Sequence, residues 1–307
     1  MPSGVDDFAH AIVQRCRFSL RDGEMAGLRF GEGGGAPRPA LIFLHATGFT
    51  ARTYRALLAP LGGAHHILAL DLRGHGRTSL PVPTRAYTSW EVHADDALEV
   101  LDAHIPGPVI LAGHSMGAIV ALLAAARRPE AVRALCLIEP VILPPLFYLL
   151  GKVPGADFVR RHFGPMRQAA KRRAQFASLE EAQARLTGRG VFAAFTAEML
   201  RDYLSDGLRP AKAGMELACS PAFEAATFAA QGHAPFAALK RVRAPIRALR
   251  AAHGSTFLQR SVNIVAARQP DLRVETLPGT SHMLPMEQPE SVRAVLASLL
   301  ADHQSLA

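Results

Sequence analysis

The chain has 307 residues, 49% hydrophobic and 20% charged, enough to bury a sizeable core without a disulfide or metal staple. Its three cysteines, Cys16, Cys136 and Cys219, are odd in number and far apart, which argues against a disulfide framework and against paired-cysteine zinc or redox sites. The net charge of +8 is spread along the chain rather than gathered into a nucleic-acid-binding signature.

The tightest basic cluster, Lys171, Arg172 and Arg173 with Arg160, Arg161 and Arg167 just before it, reads as a solvated helix face. The longest apolar run, 141–150, is too short to cross a bilayer, which takes about 20 residues. The first ten residues begin acidic and lack an apolar stretch, so no secretory signal and a cytoplasmic location are expected.

In chain order, two alternating stretches, 15–20 and 25–30, predict a β-hairpin turning at Asp22-Gly23. Continuous apolar runs follow at 40–45, 66–72, 109–112 and 134–138, as expected of strands buried on both faces. Helical patterns separate them at about 51–60, 91–104 and 116–127. Such alternation predicts a mostly parallel sheet with helices on both faces. From 140 to 239 the pattern is helical (about 156–175, 179–187, 191–204 and 221–231) with no clear strand. Alternation resumes with strands at 246–250 and 272–277 and helices at about 256–268 and 287–302. The expected architecture is an eight-stranded α/β core, 1–139 plus 240–307, with a helical cap, 140–239, inserted after the sixth strand.

The strand at 109–112 runs into Gly113-His114-Ser115-Met116-Gly117 and then a helix, which is GxSxG in its strand–turn–helix context. A serine on so tight a turn projects at the head of the helix, and the glycines let strand and helix approach. The Met116 N–H at that helix start can donate to an oxyanion.

Four motifs in order resemble those of the α/β-hydrolase superfamily. They are His45-Ala46-Thr47-Gly48-Phe49, with Ala in place of the first Gly of an HGxG-type loop; Asp71 through Ser79, similar to DxRGxGxS; the Ser115 turn; and Pro278 through Pro289, similar to the family's catalytic-histidine loop. The resemblance spans nearly all of the chain outside the insert. It implies Ser115 as nucleophile, His282 as general base, and the Thr47 and Met116 amides as oxyanion donors, with Ala46 a weaker candidate. Of the other histidines, His45 and His75 are expected to be hydrogen-bonding loop residues. His114 is expected to point away from the nucleophile, and His65, His66, His93, His233 and His253 have no motif support.

The acid is the departure from the pattern. In much of the family it follows strand seven, but here residues 250–256 contain no carboxylate. Glu139, at the end of strand six, is expected to replace it, because a buried apolar strand rarely ends in a glutamate without a partner. Certain haloalkane dehalogenases of this superfamily place a glutamate there.

A Ser–His–acid site with an oxyanion hole implies acyl transfer, most simply hydrolysis of carboxylic esters, lactones or thioesters of a small apolar substrate. Carbon–carbon bond hydrolysis and stoichiometric small-molecule binding are the alternatives. Dehalogenase and epoxide hydrolase chemistry is disfavoured, since those branches need a carboxylate at position 115. The aromatic-rich insert suggests an apolar pocket. No metal, nucleotide or other cofactor is implied, nor a nucleic-acid partner, nor stable membrane insertion. No feature of the sequence bears on the oligomeric state.

Overall fold

A computed structural model describes residues 13–31, 39–83, 87–150 and 164–303. Eleven strands lie among them. Eight form one sheet: β1 (Val13–Leu20), β2 (Gly23–Phe30), β3 (Leu41–Leu44), β4 (Ile67–Leu70), β5 (Val109–His114), β6 (Val132–Ile138), β10 (Ile246–Ala251) and β11 (Arg273–Leu277). Their order is β1-β2-β4-β3-β5-β6-β10-β11. All pairs from β4 through β11 are parallel, while β1–β2 and β2–β4 are antiparallel. The mostly parallel α/β sheet expected from the alternation is therefore present.

Alternate residues of each inner strand face two separate cores. Ile42, Leu44, Leu111, Leu135 and Leu137 pack with the helices Glu91–His104 and Met116–Arg127. Leu41, Phe43, Ile110, Ala134 and Ile138 pack on the other face with the helix Pro289–Asp302. Burial on both faces is why these strands read as unbroken apolar runs. Met116–Arg127 buries every residue but Arg127, so it too is apolar all round.

Two details differ from the sequence reading. The hairpin turns at Arg21-Asp22, with Leu20 opposite Gly23, so Gly23 opens β2 rather than closing the turn. Between β6 and β10 lies a second, three-stranded sheet of β7 (Gln175–Phe176), β8 (Leu208–Ala211) and β9 (Gly214–Leu217), in the order β7-β9-β8. Strands of two to four residues carry too few positions for a period-two signal. The expected helix at 156–175 is described only as Gly164–Ala170, and its earlier part lies outside the described residues.

Candidate active site

Ser115 links β5 to the helix Met116–Arg127 in a backbone conformation, φ 55° and ψ −114°, that side-chain-bearing residues rarely adopt. The flanking glycines make that turn possible. A Cβ on Gly113 would lie 2.4 Å from the Gly117 carbonyl, and one on Gly117 would lie 2.1 Å from the Leu44 carbonyl oxygen of the neighbouring strand. The Ser115 N–H donates to the Ile138 carbonyl at 2.9 Å, tying the turn to the end of β6.

The next residue after Ile138 is Glu139, fully buried and, among the described residues, the other non-glycine residue with positive φ, 46°. Its Oε2 lies 2.9 Å from His282 Nδ1, and His282 Nε2 lies 2.9 Å from Ser115 Oγ. Ionised carboxylates only accept, so Nδ1 carries a proton and Nε2 presents its lone pair to the serine hydroxyl.

The end of β10 and the loop after it, which lack a carboxylate, supply donors instead. The Ala251 N–H reaches Glu139 Oε1 at 2.7 Å, the Ser255 hydroxyl reaches the same oxygen, and the Thr256 N–H reaches Oε2 at 3.1 Å. Burial pushes the Glu139 carboxyl up. The hydrogen bond and charge of His282, with the Ser255 and Ala251 donors, overcome that and hold it below the usual carboxylate value. In the sequence the only trace of Ser255 and Thr256 is a pair of hydroxyl residues in place of an acid.

His282 is carried by a braced loop. The Ser281 N–H and hydroxyl both donate to Glu287, at 2.7 and 2.6 Å, and the His253 N–H donates to the Thr280 carbonyl at 3.0 Å.

The loop after β3 approaches Ser115 from the other side. Thr47 Oγ1 lies 3.4 Å from Met116 Sδ, which brings the two expected oxyanion residues together. Met116 is the first helical residue, and its N–H is one of the donors a helix leaves unpaired. Ala46 differs, since its N–H is taken by the Tyr54 hydroxyl at 3.1 Å. The Gly48 N–H is taken by His75 Nε2 at 3.0 Å, and His45 Nε2 accepts the Leu72 N–H at 2.8 Å. His45 and His75 are thus loop scaffolding, as expected. Asp71 performs a similar task, accepting the Ala51 and Arg77 N–H groups, and burial pushes its carboxyl up to about 6.

The basic cluster is not a solvated face throughout. Arg172 is drawn inward, where Nη1 pairs with buried Glu224 and Nη2 donates to the Tyr203 hydroxyl at 2.7 Å. Glu224 Oε1 would lie 2.6 Å from a Cβ on Gly48, so this pair abuts the Thr47 loop. Phe49 packs edge-on against Phe195 and Tyr203, joining the β6–β10 segment to the same loop. Arg160 and Arg161 of that cluster lie outside the described residues. Among the described residues no cluster of three His, Cys, Asp or Glu could hold a metal ion, and no helix is long and apolar enough to cross a membrane.

A sequence model of the alpha/beta hydrolase family matches residues 41–295. The chain is 25% identical over 254 residues to the 2-(acetamidomethylene)succinate hydrolase of Mesorhizobium japonicum, covering 82% of this chain and 84% of that one. It is 37% identical over 113 residues to protein phosphatase methylesterase 1 of Mus musculus, covering 35% of this chain but only 29% of that protein. The crystal structure of E-2-(acetamidomethylene)succinate hydrolase superposes with a TM-score of 0.77 at 22% identity, over 95% of this chain and 100% of that one, a likeness of fold.

Proposed function

Since the chain belongs to the alpha/beta hydrolase family, we propose that it is a serine hydrolase of carboxylic esters, or related lactones and thioesters, of small apolar substrates. The observation that carries this reading is the unbroken Ser115–His282–Glu139 hydrogen-bonded chain, with both links at 2.9 Å.

Ser115 Oγ attacks the acyl carbon while its proton passes to His282 Nε2. The carbonyl electrons move onto oxygen, where the Thr47 and Met116 N–H groups receive them. Glu139, ionised at neutral pH, holds the Nδ1 proton and stabilises the imidazolium. The bond to the leaving alkoxide then breaks, and His282 gives that oxygen its proton. Water adds to the acyl-enzyme carbon, loses a proton to His282, and the acid departs as Ser115 Oγ recovers it.

The segment 140–239 is read as a lid, held to the Thr47 loop by Phe195 and Tyr203, which pack edge-on against Phe49. A methylesterase among the similar proteins adds weight to the ester reading.

Short and medium p-nitrophenyl esters on the wild type, Ser115→Ala and Glu139→Gln are the test. Turnover by the wild type with a loss of about 10² or more in kcat for each variant supports the assignment. An inert wild type that a fluorophosphonate still labels at Ser115 keeps the nucleophile and discards the ester substrate. An inert, unlabelled wild type discards the hydrolase reading.

A further inference from the structure

His114, the residue before Ser115, does not merely flank the turn. It is fully buried, with Nδ1 2.7 Å from the Tyr54 hydroxyl and Nε2 2.8 Å from the backbone carbonyl of His282. A carbonyl can only accept, so Nε2 carries the proton. Nδ1 then has a lone pair and accepts from the Tyr54 hydroxyl. That hydroxyl, having given its proton, accepts from the Ala46 N–H at 3.1 Å. The direction of every bond is thereby fixed: Ala46 N–H to Tyr54, Tyr54 to His114, His114 to the His282 carbonyl. A buried path runs from the oxyanion-side loop, beneath the Ser115 turn, to the loop carrying the general base.

Resting on the serine-hydrolase reading, we infer that Tyr54 and His114 are positioning residues that fix the His282 backbone against Ser115 and commit the Ala46 amide, leaving Thr47 to serve the oxyanion. Neither side chain touches the reacting atoms. Their effect is on where His282 Nε2 and the Thr47 amide stand. Misplacement of catalytic groups by about 1 Å can cost about 10² in rate, so a relay that sets both is a kinetic device.

The relay also suits the charge that develops during the reaction. The His114 and His282 ring centroids are 5.2 Å apart. Burial, then the neighbouring His282 charge, push the His114 imidazole down to about 3, so it stays neutral when His282 takes the serine proton. A charged side chain in its place would oppose that step.

Three variants test the assignment. Tyr54→Phe removes one oxygen. His114→Leu removes both polar ends, while His114→Gln keeps one donor and one acceptor in a chain of similar reach. The readouts are the second-order rate of fluorophosphonate labelling at Ser115, and kcat and KM for a p-nitrophenyl ester, in proteins confirmed as folded by circular dichroism. Tyr54→Phe and His114→Leu are expected to lose about tenfold or more in kcat and labelling rate with KM nearly unchanged, and His114→Gln to recover most of it. A purely structural role would lower the melting temperature and leave kcat at wild-type level well below it. If His114→Leu does not fold, Tyr54→Phe decides alone. Wild-type labelling rates in the folded variants overturn this inference only. A wild type that is not labelled at all overturns the serine-hydrolase reading, and this inference with it.

Discussion

Five buried histidines should make this protein much less stable in mild acid. His45, His75, His93, His114 and His233 are all buried, and three of them, His45, His75 and His114, bond within the elements around Ser115. Burial pushes His75 and His233 down to about 4, His93 and His114 to about 3, and His45 well below its ordinary value. Each is therefore neutral in the fold, whereas the unfolded imidazole takes a proton near 6.5. The unfolded state binds more protons below that value, so the stability these groups contribute is fully present above pH 6.5 and is lost as the pH falls toward 3–4.

One unit below the unfolded value each group costs about 1.4 kcal/mol, so five together cost about 7 kcal/mol at about pH 5.5. Asp71 works the other way. Its folded carboxyl, pushed up by burial, takes a proton near pH 6 and offsets about 1 kcal/mol of the loss. The net of about 6 kcal/mol rivals the whole stability of a typical domain, about 5–15 kcal/mol. Trp90 is the sole tryptophan, is buried, and stacks on His233 at 4.5 Å, so its fluorescence reports the transition. Urea unfolding followed by that fluorescence should give a free energy lower by about 5–6 kcal/mol at about pH 5.5 than at about pH 7.5. Values that agree within about 1 kcal/mol would refute the reasoning, since these imidazoles would then titrate freely in the fold.

Three further outcomes follow from single contacts. Glu139→Gln replaces the acceptor at His282 Nδ1 with a group that tolerates the wrong tautomer, so kcat on an ester should fall about 10²–10⁴-fold with the fold intact by circular dichroism. Gly117→Ala drives a Cβ to 2.1 Å from the Leu44 carbonyl oxygen, and because both sides of that contact are backbone the variant should be recovered insoluble or with a melting temperature far below wild type. Arg172→Met leaves the Glu224 carboxylate buried beside Gly48 without its cation. Urea unfolding should show a loss of about 3–5 kcal/mol, largely restored when Glu224→Gln is added.

The sequence and the structure agree where the physics is local and diverge where it is shared between distant segments. The parallel sheet was legible because each inner strand is buried on both faces, and the Ser115 turn because two glycines at fixed spacing are what strand–helix contact demands. Glu139 could be singled out because a carboxylate at the end of a buried strand needs a partner. The partners themselves, Ala251, Ser255 and Thr256, lie more than 100 positions away, and no periodicity connects them to Glu139. Tyr54 carries no such signal either, since its bond to His114, 60 positions on, joins the helical turn after β3 to the end of β5 only once the sheet forms. Arg172 departs from a solvated face because its charge alone argues for solvent, whereas Glu224, 52 residues on, argues for burial. Motif residues are thus visible one at a time, while the residues that hold them in place exist as pairs and become visible only together.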